Sequence, residues 1–580
     1  MYICRKSNLI IWLSLVLVML LGVTGSADED VVVSALSDEI ERNMENLKLE
    51  DEARPYFIRY LVNLENNCHI KAEYGSIVKC DRTDANQMFI DLRVGDYDFD
   101  NSNFVHTIWQ TGMETVNLPV ELDYHALRHA AWLGTDNAYK TAIENLAMKS
   151  ATLQNRMQED TLADLSRAKK VRHFDEFAKP QADTSKFKEI LADLSSVFRD
   201  YPQFKHSSVE LNTKTENRYI INSEGTQIRK GRHIHYIFIE ARGLDDNGLP
   251  VYNYDRIIFE DIEELPSVGE LRNWIKSFAD ETAILVETEP LEDYIGPVIF
   301  HSNGANQFLV KMFLDNISNP RRPLTSNEGM KDYLHDPKLA RKIGFRVVPD
   351  FISIYDDPTI TEYKGLKLAG DYLYDDDGVK AEKVQLVKNG RLRNYYMSRT
   401  PTKKITESNG HGRLIQGGWG AVEVVGKPGN VIIESEETFS FEELKQQMLE
   451  LCRAMDIEYG LIVEQMNFSG RPDTDGRMRF ARRGQDNELP RVLKAYKISV
   501  KDGSLTPVRG MDYANLSVRT LKDILAVGDD YNVYHSMFDG AFTNTASVVL
   551  PSILVEEMEL TRMSATSRKP PIVDNPLSRD

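Results

Sequence analysis

The alternation of apolar and polar residues divides the chain into two textures. In residues 30–66 apolar positions recur at helical spacing (ALSDEIERNMENLKL), and a second element starting at Arg54-Pro55 and ending near Asn66-Asn67 predicts a helical hairpin. Strand-like runs follow at His69–Tyr74, Ile77–Cys80 and Met88–Val94, then a polar loop at Asp96–Asp100. Leu127, Ala130, Ala131, Ala138, Ala142 and Leu146 share related faces, predicting a long helix from Tyr124 to about Met157. Further helices are predicted over 184–199 and near 268–280. Strands are predicted at Ser207–Leu211, Tyr219–Asn222, His233–Ala241 and Ala283–Glu287, with a turn at Asn222-Ser223-Glu224-Gly225.

From Gly296 onward short alternating runs are punctuated by glycines (Gly365, Gly370, Gly378, Gly390, Gly410, Gly412, Gly417, Gly418, Gly420), the pattern of a β-rich domain with tight turns. One amphipathic helix interrupts it at 440–456, with Ser440 as N-cap and Glu443 three residues on. The expected architecture is α+β: an N-terminal α+β domain over 28–290, with an exposed connection near 158–185, then a glycine-rich, mostly β domain over 291–566 and a tail at 567–580.

Residues 1–27 read as an address. Arg5 and Lys6 precede the apolar run Leu9–Val23, and Thr24-Gly25-Ser26-Ala27 supplies small residues before Asp28. This predicts a signal peptide and an exported, periplasmic or extracellular protein; the alternative is an uncleaved membrane anchor. The net charge is −19, and loss of 1–27, which carries two bases and no acids, makes it −21. That sign repels a phosphate backbone, so no nucleic-acid partner is expected. Of the remaining cysteines, Cys68 and Cys80 flank a hairpin-like stretch, where either a disulfide or two free thiols fits; Cys452 stands apart.

Chemistry-bearing motifs are sparse. His125 and His129 lie four apart on one helix face, but Ala126 stands where a metalloprotease helix needs its Glu. His233 and His235 share a strand face without a third ligand. Asp356-Asp357-Pro358 and Asp375-Asp376-Asp377-Gly378 read as turn formers, and the twelfth position of a calcium loop begun at Asp375 is Leu386.

Ordered blocks then carry a resemblance: Arg93-Val94-Gly95-Asp96-Tyr97 with Asp100-Asn101, Asn222–Gly225, Ile354–Thr359, Tyr374–Val379, Lys388–Leu392, Ser408–Arg413, Gly460–Val463, Ala495–Ile498 and Pro507–Gly510. Together, over roughly 45–555, they resemble the TldD/PmbA family, also called the modulator of DNA gyrase family. The resemblance implies zinc metallopeptidases with a His-Glu-x-x-x-His helix and a C-terminal cysteine ligand, alongside partner subunits that lack those groups, in dimers enclosing a chamber. Here the matching positions are His301, Ser302 and Asn306, and Phe542–Val548 lies where the cysteine is expected. An amide is a poor zinc ligand, and a serine cannot take a proton from metal-bound water.

The expectation is therefore a non-catalytic PmbA/TldE-like subunit, a pseudoenzyme that binds no metal alone. It would pair with a TldD-like chain that carries zinc, and the pair would act on unfolded or short polypeptides. Asn409, Gly410, His411, Gly412 and Arg413 are its candidate substrate-binding loop. Two alternatives stand beside it. One is an active metallopeptidase with a site rebuilt from His301 and Asp356, Asp357 or Glu464; the other is a non-hydrolytic homodimer that binds peptides or polymers.

Overall fold

A computed structural model describes residues 30–49, 51–107, 112–156, 162–181, 184–245, 248–318, 320–334, 336–416, 421–468, 489–538, 543–563 and 575–579. The predicted signal segment, Phe542 and most of the tail lie outside them. Among the described residues no helix is long and apolar enough to cross a membrane.

The N-terminal half is organised by one long hairpin, Pro55–Glu73 and Ser76–Val94, closed by a two-residue turn in which Tyr74 and Gly75 both take positive φ (46° and 86°). Pro55–Glu73 also pairs with Phe204–Asn222, which pairs with Gln227–Leu244; Pro250–Phe259, Arg172–Phe174 and Glu114–Asn117 complete a seven-stranded sheet. The predicted helical hairpin is thus half right. Val31–Asn46 is a helix, but residues from Pro55 form a strand. Ile58, Tyr60, Val62 and Leu64 repeat every second residue, and aromatic and β-branched side chains favour the pleated surface.

One face of this sheet is helix-covered along its whole length. Ile58, Tyr60 and Val62 pack under Val31–Asn46 and Tyr124–Arg156, while Cys68, Ile70 and Ala72 pack under Thr184–Ser195 and Val268–Glu287. The last helix runs through 283–287, which the sequence predicts as a strand; that apolar run is too short to distinguish the two, and Leu285 and Val286 are buried as its final turn. Cys68 lies opposite Arg82 and Cys80 opposite Ile70, and both are free thiols, so the disulfide alternative does not hold.

The C-terminal half is mostly β, as expected. One sheet runs Arg391–Leu392, Val384–Lys388, Ile352–Asp356, Asn430–Ser435, Asn544–Leu550, Asn532–Phe538; the other runs Leu505–Val508, Val492–Ser499, Tyr459–Met466, Tyr294–Phe300, Ile553–Arg562, Met511–Ala514. The helix Asn303–Leu309, prolonged by a wider turn to Leu314, joins their cores: Phe308, Met312 and Phe313 share one cluster with Ile354, Val431 and Val548 of the first sheet and Phe300, Val463 and Val555 of the second. Phe441–Ala454 covers the outer face of the second sheet through Leu444, Met448 and Cys452, and its Ser440/Glu443 capping box forms as the sequence predicts.

The halves meet on the other face of the N-terminal sheet. Leu61, Phe89, Ile220 and Ile228 contact Leu414, Val422 and Val424 of the hairpin Gly412–Gln416/Val422–Gly426. Around this apolar centre lie buried ion pairs. Arg59 binds Asp377 and Asp91, Lys230 binds Asp376 at 2.7 Å, and Arg399 binds Glu224 through both terminal nitrogens. Arg218 reaches Glu216 and the Asn544 side chain. The triple-Asp segment is therefore a clamp between the halves. Within the predicted connection, Asp164 is buried between Lys149 and Arg321.

Candidate functional site

The strand Tyr294–Phe300 lies inside the second C-terminal sheet, parallel to Tyr459–Met466 and antiparallel to Ile553–Arg562, which its near-continuous apolar sequence suits. It ends as the His301 N–H donates to the Val463 carbonyl (2.9 Å), and the chain reverses into the helix Asn303–Leu309. The reversal is made at Ser302, with φ 50° and ψ −129°, a combination that burdens any residue with a Cβ. Gly304 is required two residues on, because a Cβ there would lie 2.4 Å from the Val463 oxygen.

His301 is committed to the protein. Its Nδ1 lies 2.7 Å from Ser552 Oγ and 3.2 Å from Asp530 Oδ2, and its ring stacks on Phe441 at 4.2 Å. Ser552 Oγ donates to Asp530 Oδ2 (2.6 Å), and its N–H to Asp530 Oδ1 (2.9 Å). Burial alone would raise the Asp530 carboxyl; the hydrogen bonds from His301 and Ser552 override that and hold it below its ordinary value. The set contains Ser, His and Asp but is no hydrolytic triad. Both partners crowd the same ring nitrogen, and the serine proton is given to the aspartate rather than to imidazole.

Ser302 has the strand–strained serine–helix backbone of a nucleophile elbow, but no hydrogen bond joins its hydroxyl to a base among the described residues. Its neighbours around a cavity of about 210 Å³ include Glu281, Glu464 and Lys494. Lys494 donates to Glu281 at 2.9 Å and lies 2.9 Å from Glu464. Burial would lower this ammonium, yet Glu464 and Glu281 raise it above its ordinary value, so it stays protonated. Asn306 is fully buried; its amide nitrogen faces the Ser302 carbonyl (3.3 Å) and its Oδ1 has no partner among the described residues.

This donor set does not fit a zinc ion: it offers one imidazole, a serine hydroxyl and a neutral amide oxygen. Among the described residues no group of three or more His, Cys, Asp or Glu has metal-binding geometry. The acids weighed as substitutes are engaged elsewhere. Asp356 accepts from the Gly429 and Asn430 N–H groups, Asp357 caps the turn at Thr359, and Glu464 lies beside Lys494. His125 and His129 are exposed on their helix, and His233 stacks on His235 within the N-terminal sheet.

Residues 409–413 sit inside the molecule. The Asn409 side chain bonds the backbone at Tyr395 and Met397; the His411 ring is buried near Tyr396 and Asp356. The Gly412 N–H donates to Asp375, and Arg413 donates to Asn544 and lies over the Tyr372 ring. A second cavity of about 490 Å³ opens beside this hairpin, between the halves, and is bordered by Arg59, Asp377, Glu423 and the helix Tyr124–Arg156. No single motif marks it, because its walls come from segments distant in the chain, Arg93, Asn101 and Asp377 of the quoted blocks among them.

Residues 296–562 match the PmbA/TldA metallopeptidase C-terminal domain. This places the C-terminal half in the TldD/PmbA family. A metalloprotease of Methanocaldococcus jannaschii is 32% identical over 123 residues, 20% of this chain and 24% of that protein. One of Methanothermobacter thermautotrophicus is 27% identical over 206 residues, 34% and 37% of the two chains. The chain thus spans about a quarter to three-eighths of these relatives' length. Among solved structures, TldE from Thermococcus kodakarensis matches 91% of this chain and all of its own, with TM-score 0.55 at 15% identity. A Thermotoga maritima protein named as a modulator of a DNA gyrase matches 87% and 96%, with TM-score 0.55 at 17% identity. At those identities the likeness is one of fold, and it spans both halves.

Proposed function

We propose that this chain is a non-catalytic, TldE-like subunit of the TldD/PmbA family, exported through its N-terminal segment. It would pair with a TldD-like chain whose zinc hydrolyses unfolded or short polypeptides. The observation that carries the reading is the state of the His301–Asn306 corner. His301 is the one imidazole there, the general-base position is Ser302, and the second ligand position is a buried amide. The helix that would present a metal to substrate serves here as the core joining two sheets. Sharing a fold with TldE supports the subunit role, and the metalloprotease names of the sequence relatives support a proteolytic partner.

The test is zinc content by elemental analysis on the purified chain, alone and mixed with a co-expressed TldD-like chain. Zinc near zero alone and about one per heterodimer in the mixture is expected. One zinc per isolated chain overturns the reading and restores the active metallopeptidase.

A further inference from the structure

A turn on the C-terminal half carries an exposed ring among unpaired cations. Residues 342–345 close it, with the Phe345 N–H donating to the Lys342 carbonyl (2.9 Å) and Gly344 at φ 87°. It stands clear of the body, since a Cβ on Gly344 would meet nothing within 4 Å. Phe345 is 62% exposed, the most exposed Phe or Trp among the described residues. The turn is tied to the hairpin Val384–Lys388/Arg391–Leu392: the Gly344 N–H donates to the Leu392 carbonyl (2.8 Å), and the Leu392 N–H to that of Phe345 (3.0 Å).

Those ties bring six exposed cations together, Arg341, Lys342 and Arg346 from the turn and Lys388, Arg391 and Arg393 from the hairpin. Among the described residues none of them is paired with a carboxylate. Acids in the adjoining segments do little to offset them. Asp336 is taken by Lys338 (3.2 Å) and Glu436 by the Asn389 amide (3.0 Å), while Asp350 adjoins Gly390 and is exposed. Arg391 lies directly opposite Lys388 in the hairpin and opposite Arg346 across an isolated bridge. Like charges facing across strands repel one another. In a chain of net charge −19, which has acids to spare, that repulsion is left standing, and an anionic partner would relieve it.

The exposed ring narrows the choice of partner. A bilayer meets only the face turned towards it, and acids elsewhere on the chain lie beyond the roughly 10 Å over which charge acts through salt. Phe345, among guanidinium and ammonium groups on long apolar stems, suits the boundary between headgroups and acyl chains. We propose that the Phe345 turn and its six cations form a docking face for a bilayer with anionic headgroups. The choice of a membrane draws on the export reading of residues 1–27 and is independent of the subunit reading.

The test places the full-length chain on vesicles of phosphatidylcholine, alone or with about a third phosphatidylglycerol, so that its N-terminal segment enters both alike. Chymotrypsin then reports on the face. Cleavage after Phe345 should slow about fivefold on the anionic vesicles, while cleavage after Phe177, 43% exposed in the N-terminal half, should not change. Salt at about 0.5 M should abolish the difference. Arg341→Glu combined with Arg393→Glu should abolish it as well. Arg391→Glu should do so without lowering the melting temperature, because Lys388 and Arg346 then face a carboxylate. Equal cleavage on the two kinds of vesicle overturns the proposal, as does protection that survives both salt and the charge reversals. A labelled single-stranded oligonucleotide that shields Phe345 where vesicles do not would overturn it too, by placing a nucleic acid on this face.

Discussion

Arg59 and Asp377 form a buried ion pair across 318 residues of sequence, joining the central N-terminal hairpin to the triple-Asp segment of the C-terminal half. The second carboxylate on this guanidinium is Asp91, at 2.8 Å, so one arginine neutralises acids from both halves. Burial alone would strip the charge from such a group, and the two aspartates reverse that, holding the Arg59 pKa above its ordinary value. Arg59→Met should leave Asp91 to Arg93 and Asp377 to the Arg399 N–H, breaking the pair between the halves and lowering stability by about 3–5 kcal/mol. Asp377→Asn should be comparably harmful, and the double variant should lose clearly less than the two losses added. Urea unfolding of all four proteins gives the coupling; strict additivity would show that the pair does not join the halves energetically.

Ser440→Ala should remove one side of the capping box on Phe441–Ala454 and cost about 1 kcal/mol. The helix covers Ile299, Ile462 and Leu554 on the strands that lead to His301, so the loss should appear in global unfolding rather than as local fraying. A melting temperature unchanged from the parent would show the box to be dispensable.

Two histidines make stability depend on pH. Burial, with Arg256 beside it, pushes His535 down to about 4; burial, with His233 beside it, does the same to His235. Unfolded, each titrates near 6.5, so between that pH and about 4 the unfolded chain binds protons that the folded chain refuses. Stability is present in full above about pH 6.5 and falls as the pH drops through this window, by on the order of 3 kcal/mol per histidine. Histidine replaced by Gln at either position should flatten that part of the curve. Denaturation midpoints at pH 7.5, 6, 5 and 4.5 measure it, and equal slopes in parent and variants would contradict the assignment.

The parts of this fold that the sequence makes legible are those set by local rules. The Ser440–Glu443 cap, the helix from Tyr124 and the glycine-punctuated β half all follow from spacing and turn chemistry. Residues 55–66 mislead because Tyr56, Phe57, Tyr60 and Leu64 satisfy helical spacing as well as alternation, and only pairing with distant strands decides between them. The degenerate His301-Ser302-Asn306 motif is readable as chemistry. What holds His301 is not, since Asp530 and Ser552 come from more than two hundred residues away. The same limit hides the role of Asp375–Asp377: next to Gly378 they read as a turn, while the partners that make them a clamp are Arg59 and Lys230 of the other half.

Opposite effects are expected at two positions of one turn, Ser302 and Gly304. Ser302 holds φ 50° and ψ −129°, and such a backbone costs a residue with a Cβ about 1–3 kcal/mol, which glycine avoids. Glycine adds unfolded-state freedom worth about 0.5–1 kcal/mol, so Ser302→Gly should still stabilise by about 1 kcal/mol. Gly304→Ala runs the other way. Its methyl would meet the Val463 carbonyl at 2.4 Å, against a backbone already fixed by the His301 N–H, and the helix must lift from the strand at about 1–3 kcal/mol. Thermal unfolding of the two variants beside the parent decides the matter. If Ser302→Gly destabilises, the hydroxyl makes a contact worth more than the strain, and position 302 would then be held as serine for what its side chain meets in the cavity it shares with Glu464 and Lys494.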